Sequence, residues 1–198
     1  MTAQLAYDAQ LAFKHPLGPA TVEDWLAADT PVDGSRLELI LGYFAMTPPP
    51  TSGHQRLSFR LARIVDDALR AAGTAALEVL PAVGVRISTP FRTALIPDLV
   101  VAKVGDSRPA FEPGDVLLAV EVWSPGNGKG ERETKMASYA QAGIPYLWLV
   151  ETPDGKPVAF RGYRLEDAKY VEVIRADNGE TITAPGPVPV EIDTSALP

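Results

Sequence analysis

Two carboxylates sit where the surrounding pattern calls for hydrocarbon. Asp98 lies in Leu95-Ile96-Pro97-Asp98-Leu99-Val100-Val101, and Glu121 lies in Val116-Leu117-Leu118-Ala119-Val120-Glu121-Val122-Trp123. An ionised carboxylate without a partner in such company is strongly unfavourable. It needs a cation, a hydrogen-bond network or a place at a strand end. Taken singly, each has an ordinary explanation: an Asp after proline often ends a strand or begins a turn, and a Glu before Val-Trp-Ser-Pro can point at water. Two of them, near the C-terminal ends of adjacent apolar strands, argue for a shared cation. Hard oxygen ligands of this kind suit Mg²⁺ or Mn²⁺.

A few other residues could join them. Ser124-Pro125-Gly126-Asn127-Gly128 follows Glu121 as a mobile loop whose glycines permit close approach to a ligand. Lys135 lies in the next helix on the same face as Tyr139, where an ammonium could polarise a phosphate or orient a water. From the residues alone, an exposed ion pair with Glu131 at i, i+4 is the simpler account of Lys135. Glu38 interrupts Leu37-Glu38-Leu39-Ile40 in an alternating strand, where a glutamate ordinarily faces solvent. His54 opens a long helix, and such a histidine is ordinarily structural or solvated. His15 has no neighbours that suggest chemistry.

The elements that must position these groups are legible in outline. Residues 1–20 read as a loosely packed arm, and Thr21-Val22-Glu23-Asp24 as a capping box opening a short helix through Ala28. Leu37 to Met46 reads as a strand broken at Gly42. From Ser52 to Ala72 the apolar residues Leu57, Leu61, Ile64, Val65, Ala68 and Leu69 recur at steps of three and four, a helix stopped by Gly73. Short strands are expected near Ala76–Leu80 and Val83–Ser88. Leu95–Ala102 and Val116–Trp123 are almost continuously apolar, as strands covered on both faces are. A helix over Lys129–Ala142, closed by Gly143, leads to a buried strand at Ile144–Val150, and the unit 116–150 should be parallel. Val158–Leu165 and Lys169–Arg175 read as a hairpin on the sheet margin. The tail from Ala184 is proline-rich and reads as irregular.

The expectation is therefore an α/β (α+β) fold, a mixed central sheet flanked by helices with a C-terminal β-hairpin. It forms one domain over 1–198: arm 1–20, core 21–165, and hairpin strand with proline-rich tail 166–198.

Composition narrows the function classes. The 198 residues include no cysteine, which removes disulfides and thiolate-bound zinc or iron–sulfur sites. Two histidines cannot build a His-rich zinc site, and neither a Walker A loop, a Rossmann glycine fingerprint nor a Gly-x-Ser-x-Gly elbow is present. The net charge of −7 argues against coating long nucleic acid by charge alone. It leaves room for a local basic rim around an acidic site. No apolar run approaches a membrane span, and the first fifteen residues do not read as a signal peptide, so the cytoplasm is the expected compartment.

In order along the chain, Leu37-Glu38-Leu39-Ile40-Leu41-Gly42, His54-Gln55, Val83-Gly84-Val85-Arg86, Pro97-Asp98-Leu99-Val100-Val101, Glu121-Val122-Trp123-Ser124-Pro125, Lys135 with Tyr139, and Gly143-Ile144-Pro145-Tyr146-Leu147-Trp148-Leu149-Val150 form a set. This set resembles the Uma family of "putative restriction endonucleases", a branch of the PD-(D/E)XK nuclease superfamily, over about residues 20–165. The resemblance implies a restriction-endonuclease-like sheet and a Mg²⁺-dependent phosphodiesterase site, with Mn²⁺ as a substitute. Asp98 and Glu121 would ligate the metal with the Val122 carbonyl as third ligand. Lys135 would take the motif lysine's role, Glu38 would be an additional acid at the site edge, and His54 would bind substrate. Two departures stand out: Trp123 occupies the place of the lysine in Glu-x-Lys, so that role falls to Lys135, and Gly42-Tyr43 lacks the acid that often follows the glycine.

On this reading the chain is a metal-dependent endonuclease hydrolysing DNA rather than RNA. The alternative is a catalytically inactive nucleic-acid-binding or regulatory protein that retains the nuclease fold. A third reading is a structural homodimer through the edge hairpin.

Overall fold

A computed structural model describes residues 17–124, 126–151 and 159–198. Residues 1–16 of the expected arm, Pro125 of the glycine-rich loop and the start of the hairpin at Val158 lie outside the described residues.

The capping box forms as written: Thr21 and Asp24 exchange hydrogen bonds at the start of α1 (Val22–Ala27). β1 (Arg36–Ile40) and β2 (Tyr43–Thr47) follow, then α2 (Ser52–Ala71), capped by the Thr51 hydroxyl and ended at Gly73 with φ +69°. β3 (Leu77–Pro81), β4 (Val85–Ser88), β5 (Thr93–Leu95), β6 (Leu99–Lys103) and β7 (Val116–Trp123) come next. α3 (Lys129–Gln141) leads to β8 (Tyr146–Glu151), and the hairpin β9 (Ala159–Glu166) and β10 (Lys169–Ala176) follows. β11 (Thr181–Ala184) and β12 (Val190–Asp193) complete the chain, before a single 3-10 turn.

Six strands form the central sheet in the order β10-β9-β8-β7-β6-β3. β7 and β8 are parallel, joined through α3, and the other neighbours are antiparallel. The apolar runs of β6 and β7 supply two cores at once. Leu99, Val101, Leu118, Val120 and Val122 meet Leu57, Leu61, Val65 and Leu69 of α2 on one face. Val100, Ala102, Ala119 and Trp123 meet Tyr139 and Ile144 on the other. Alternate side chains of a strand point to opposite faces, so a sheet buried twice has no polar positions to spare. A smaller sheet, β2-β1-β5-β4, stands beside it and carries Glu38. The mixed sheet with flanking helices and the marginal hairpin are as expected. No described helix is long and apolar enough to cross a membrane.

Four local expectations are corrected. Leu37–Met46 is not one broken strand but a hairpin, turning at Leu41 and Gly42 with φ of 51° and 81°. Residues 17–20 are not loosely packed: Gly18 donates to the Leu41 carbonyl at 2.6 Å and Ala20 to that of Gly42 at 3.1 Å. A Cβ on Gly18 would lie 2.3 Å from the Gly42 oxygen, so the approach demands glycine. The expected strand Leu95–Ala102 is split between β5 and β6, since Pro97 has no N–H and the Ile96 N–H donates to Glu38. Finally, the tail from Ala184 is ordered. β11 and β12 pair along their length, Trp148 donates its indole N–H to the Pro185 carbonyl at 2.6 Å, and Val188, Val190, Ile192 and Leu197 join the core on the α2 side. Proline spacing hid a strand whose buried residues alternate.

Candidate functional site

The break between β5 and β6 determines where Asp98 stands. It precedes the first residue of β6, one step beyond the Leu99↔Val120 pair, which sets it opposite Glu121. The two strands are antiparallel, so the expectation that both acids lie near C-terminal strand ends is corrected: Asp98 enters its strand while Glu121 nears the end of its own. Directly opposed residues project from the same face. Both acids therefore emerge on the α3 side, with 3% and 4% of their surface exposed.

Asp98 is held from β1, α2 and β7. Arg36 on β1 donates to Oδ1 at 2.5 Å, and Nε2 of His54 in the first turn of α2 lies 3.3 Å from the same oxygen. The backbone N–H of Val122 donates to Oδ2 at 2.7 Å. Burial by itself would raise the Asp98 pKa. The hydrogen bond and charge of His54, then the Arg36 charge and the Val122 N–H, together outweigh it and hold the carboxyl below the ordinary aspartate range.

Glu121 has different company. Tyr139 donates its hydroxyl to Oε1 at 2.6 Å, and the Lys135 ammonium lies 3.5 Å from the same oxygen. Lys135 also reaches both oxygens of Glu38, at 3.0 and 2.9 Å, and the Ile96 N–H donates to Glu38 at 2.8 Å. Burial pushes Glu121 up, and the charges of Asp98 and Glu38 add to it. Lys135 and the Tyr139 hydroxyl recover only part, leaving the carboxyl at about 7. Lys135 goes the other way from a lone buried amine. Burial alone would strip its proton, but Glu121 and Glu38 hold it and raise its pKa. Tyr139 is likewise raised, by burial first and then by the neighbouring carboxylates.

Three plain readings of single residues give way here. Glu38 does not face solvent but is 2% exposed, because β1 is an interior strand of its sheet and Lys135 supplies the charge that burial requires. Lys135 is not in an exposed pair with Glu131: it is 6% exposed, and its ion-pair partners are Glu38 and Glu121. His54 is neither solvated nor distant, since the start of α2 aims it at Asp98. The sequence motifs do not mark Arg36, although a signal exists. It stands two residues before Glu38 in an alternating strand, hence on the same face.

The donor set can be tested against a divalent cation. Among the described residues no three of His, Cys, Asp and Glu gather closely enough to hold a metal. Mg²⁺ does not require that many, because it retains waters and is commonly held by one or two carboxylates. Val122 presents its N–H to Asp98, and a strand residue's N–H and C=O point to the same side. Its carbonyl therefore faces the edge where, continuing the register, Pro97 offers no N–H. Two opposed carboxylates and a backbone carbonyl are the hard oxygen donors that would hold such a cation. The loop before α3 is tied down beside them: Ser124 N–H donates to Asn127 at 2.9 Å, and Arg132 donates to the carbonyls of Asn127 and Ser124 at 3.0 Å each.

Glu121 thus stands on one interior strand of the central sheet, and Asp98 at the entry to the next. A crystal structure described as "a putative nuclease belonging to DUF820" from Anabaena variabilis ATCC 29413 superposes with a TM-score of 0.63 over 84% of this chain and 90% of its own, at 13% identity. At that identity the likeness is one of fold. No curated protein matches. The family model described as "Putative restriction endonuclease" matches residues 22–196, and the chain belongs to this Uma2 family. The match runs well past residue 165 and takes in the C-terminal ribbon.

Proposed function

We propose that the chain is a metal-dependent endonuclease that hydrolyses DNA phosphodiester bonds. The observation that carries this reading is the gathering of Glu38, Asp98, Glu121 and Lys135, four buried ionisable groups from four separate stretches of the chain, with Asp98 opposite Glu121 and Lys135 against Glu121 and Glu38. Asp98, Glu121 and the Val122 carbonyl would hold Mg²⁺, or Mn²⁺ in its place. When bound, such an ion neutralises charge on the phosphate and lowers the pKa of an attacking water.

The chain's own groups do the rest. Val122 N–H and His54 fix the Asp98 carboxylate, and the Tyr139 hydroxyl fixes that of Glu121. The Glu121 carboxyl must give up the proton it holds up to about pH 7 before it can bind a cation. The Lys135 ammonium, kept protonated by Glu38 and Glu121, offers positive charge where a phosphate gains negative charge. His54 and Arg36 stand on the Asp98 side, where a phosphate oxygen would meet them.

Plasmid DNA incubated with Mg²⁺ or Mn²⁺ tests this. Wild type is expected to nick or cut, and Asp98→Ala and Glu121→Ala are each expected to lose at least a hundredfold in rate, on the order of one removed electrostatic contact at a reacting centre. Cleavage surviving in both variants would remove the site from the mechanism.

One observation favours the inactive alternative. Asp98 is already held by Arg36 and His54, and Lys135 lies against both Glu38 and Glu121, so the chain's own donors already engage the acids. Calorimetry separates the two: DNA affinity without Mg²⁺ or Mn²⁺ binding supports a nucleic-acid-binding protein that has kept the fold.

A further inference from the structure

The outer face of α2 carries a basic stripe that the site does not use. Arg56, Arg60 and Arg63 recur at steps of four and three and are exposed, and Phe59 among them is 64% exposed. The stripe lies opposite Leu57, Leu61, Val65 and Leu69, the residues that seat the helix on the sheet. None of the three arginines has an ion-pair partner among the described residues, whereas Arg70 on the same helix is paired with Asp66 at 2.7 Å. Arg60 spends one N–H on the Ala196 carbonyl at 3.0 Å. Arg56 and Arg60 stand at i, i+4, where like charges repel. The net charge is −7, yet no acid stands three or four residues from Arg56 or Arg60 along the helix, whereas Asp66 and Asp67 stand three and four residues beyond Arg63.

We infer that this face of α2 is a docking surface for the sugar-phosphate backbone of nucleic acid, set outside the acidic site on the side of the helix turned away from the sheet. The inference rests on the nuclease reading for the identity of the polyanion. Arg56 is two residues beyond His54, whose imidazole meets Asp98, so the stripe begins at the site's end of the helix. From Arg56 to Arg63 is roughly 10 Å along the axis at about 1.5 Å per residue. That is about three phosphate steps of one strand at about 3.4 Å each. An acidic protein could meet the arginines but would leave Phe59 unexplained. An exposed ring between cations is what a base or sugar face can stack on.

The test uses the full chain, a short labelled duplex, the matching single strand and polyglutamate, in a Ca²⁺ buffer across a salt series, with plasmid cleavage in Mn²⁺ read in parallel. Arg56→Gln with Arg63→Gln leaves the Arg60 contact in place. It is expected to weaken binding to both nucleic acids roughly tenfold, uniformly across sequences, and to lower the salt slope by about 2. Arg63→Gln alone, expected to lower the slope by about 1, supplies the same readout should the double variant melt early. Phe59→Ala should weaken the single strand more than the duplex. An unchanged affinity and slope in the double variant overturns the surface, as does wild type that binds no nucleic acid or binds polyglutamate equally well. Wild type that binds DNA through the stripe yet cuts nothing overturns the nuclease reading and leaves the surface standing. Cleavage with an unchanged double variant does the reverse.

Discussion

Asp98 and Glu121 are neighbours across one pair of strands, equally buried, yet the two halves of the site treat them in opposite ways. The β1 and α2 side gives Asp98 a guanidinium, an imidazole and a backbone N–H, and its pKa falls. The α3 side gives Glu121 one hydroxyl and a lysine shared with Glu38, and its pKa rises to about 7. Burial alone does not set a carboxylate's charge. The number of donors committed to it does, and a cation divided between two acids is not enough for both.

The largest way to break the comparison is to remove the shared cation. Lys135→Met leaves Glu38 and Glu121 buried without a counter-charge and is expected to cost about 3–5 kcal/mol in urea unfolding. Adding Glu121→Gln should recover part of that loss, because one of the two stranded charges then disappears. A Lys135→Met variant as stable as wild type would mean that the lysine is not the charge these acids depend on.

Arg36→Gln acts on the other half and should cost less, about 2 kcal/mol, since Asp98 keeps His54 and the Val122 N–H. Its chemical signature is a rise in the Asp98 pKa, measured by the chemical shift of its carboxyl carbon against pH.

The pH dependence sharpens the contrast without a gross loss of structure. The unfolded chain releases the Glu121 proton near 4.5 and the folded protein near 7. Between those values the folded state holds more protons, so this group makes stability fall as pH rises, levelling above about 7. Asp98 has the opposite sign: its contribution is complete above its unfolded value of 3.8 and is lost as pH falls toward the lower folded value. Unfolding free energies at a series of pH values should show the first slope vanish in Glu121→Gln and the second in Asp98→Asn. Cation affinity should rise through pH 7 in wild type, as a cation must displace the Glu121 proton. Tyr139→Phe should move that rise upward by a fraction of a unit, the smallest effect of the series, because the lost hydroxyl donates to the charged form.

Much of the frame was legible in the chain. The step of three and four in α2, the capping box at Thr21, the doubly apolar β6 and β7 and the parallel β7–α3–β8 unit all follow from local pattern, because burial on one or two faces writes itself into residue spacing. The suspicion around Asp98 and Glu121 came from the same source, a charge where the pattern forbids one. Proline spacing misled over β12, and the apolar run on either side of Pro97 made one strand look continuous where Pro97 lacks an N–H and Glu38 claims that of Ile96.

What the sequence by itself determined, then, was two anomalous acids on buried strands and a lysine on the helix after them. Which residues answer those acids was decided only by the tertiary structure. Arg36 and Glu38 come from a separate sheet, His54 from a helix on the opposite face, and Glu38 meets Lys135 across 97 positions of sequence. Local pattern reports whether a side chain is buried but not what it is buried against. The partners of a buried charge are fixed by how the elements pack, and here they set which acid holds a proton.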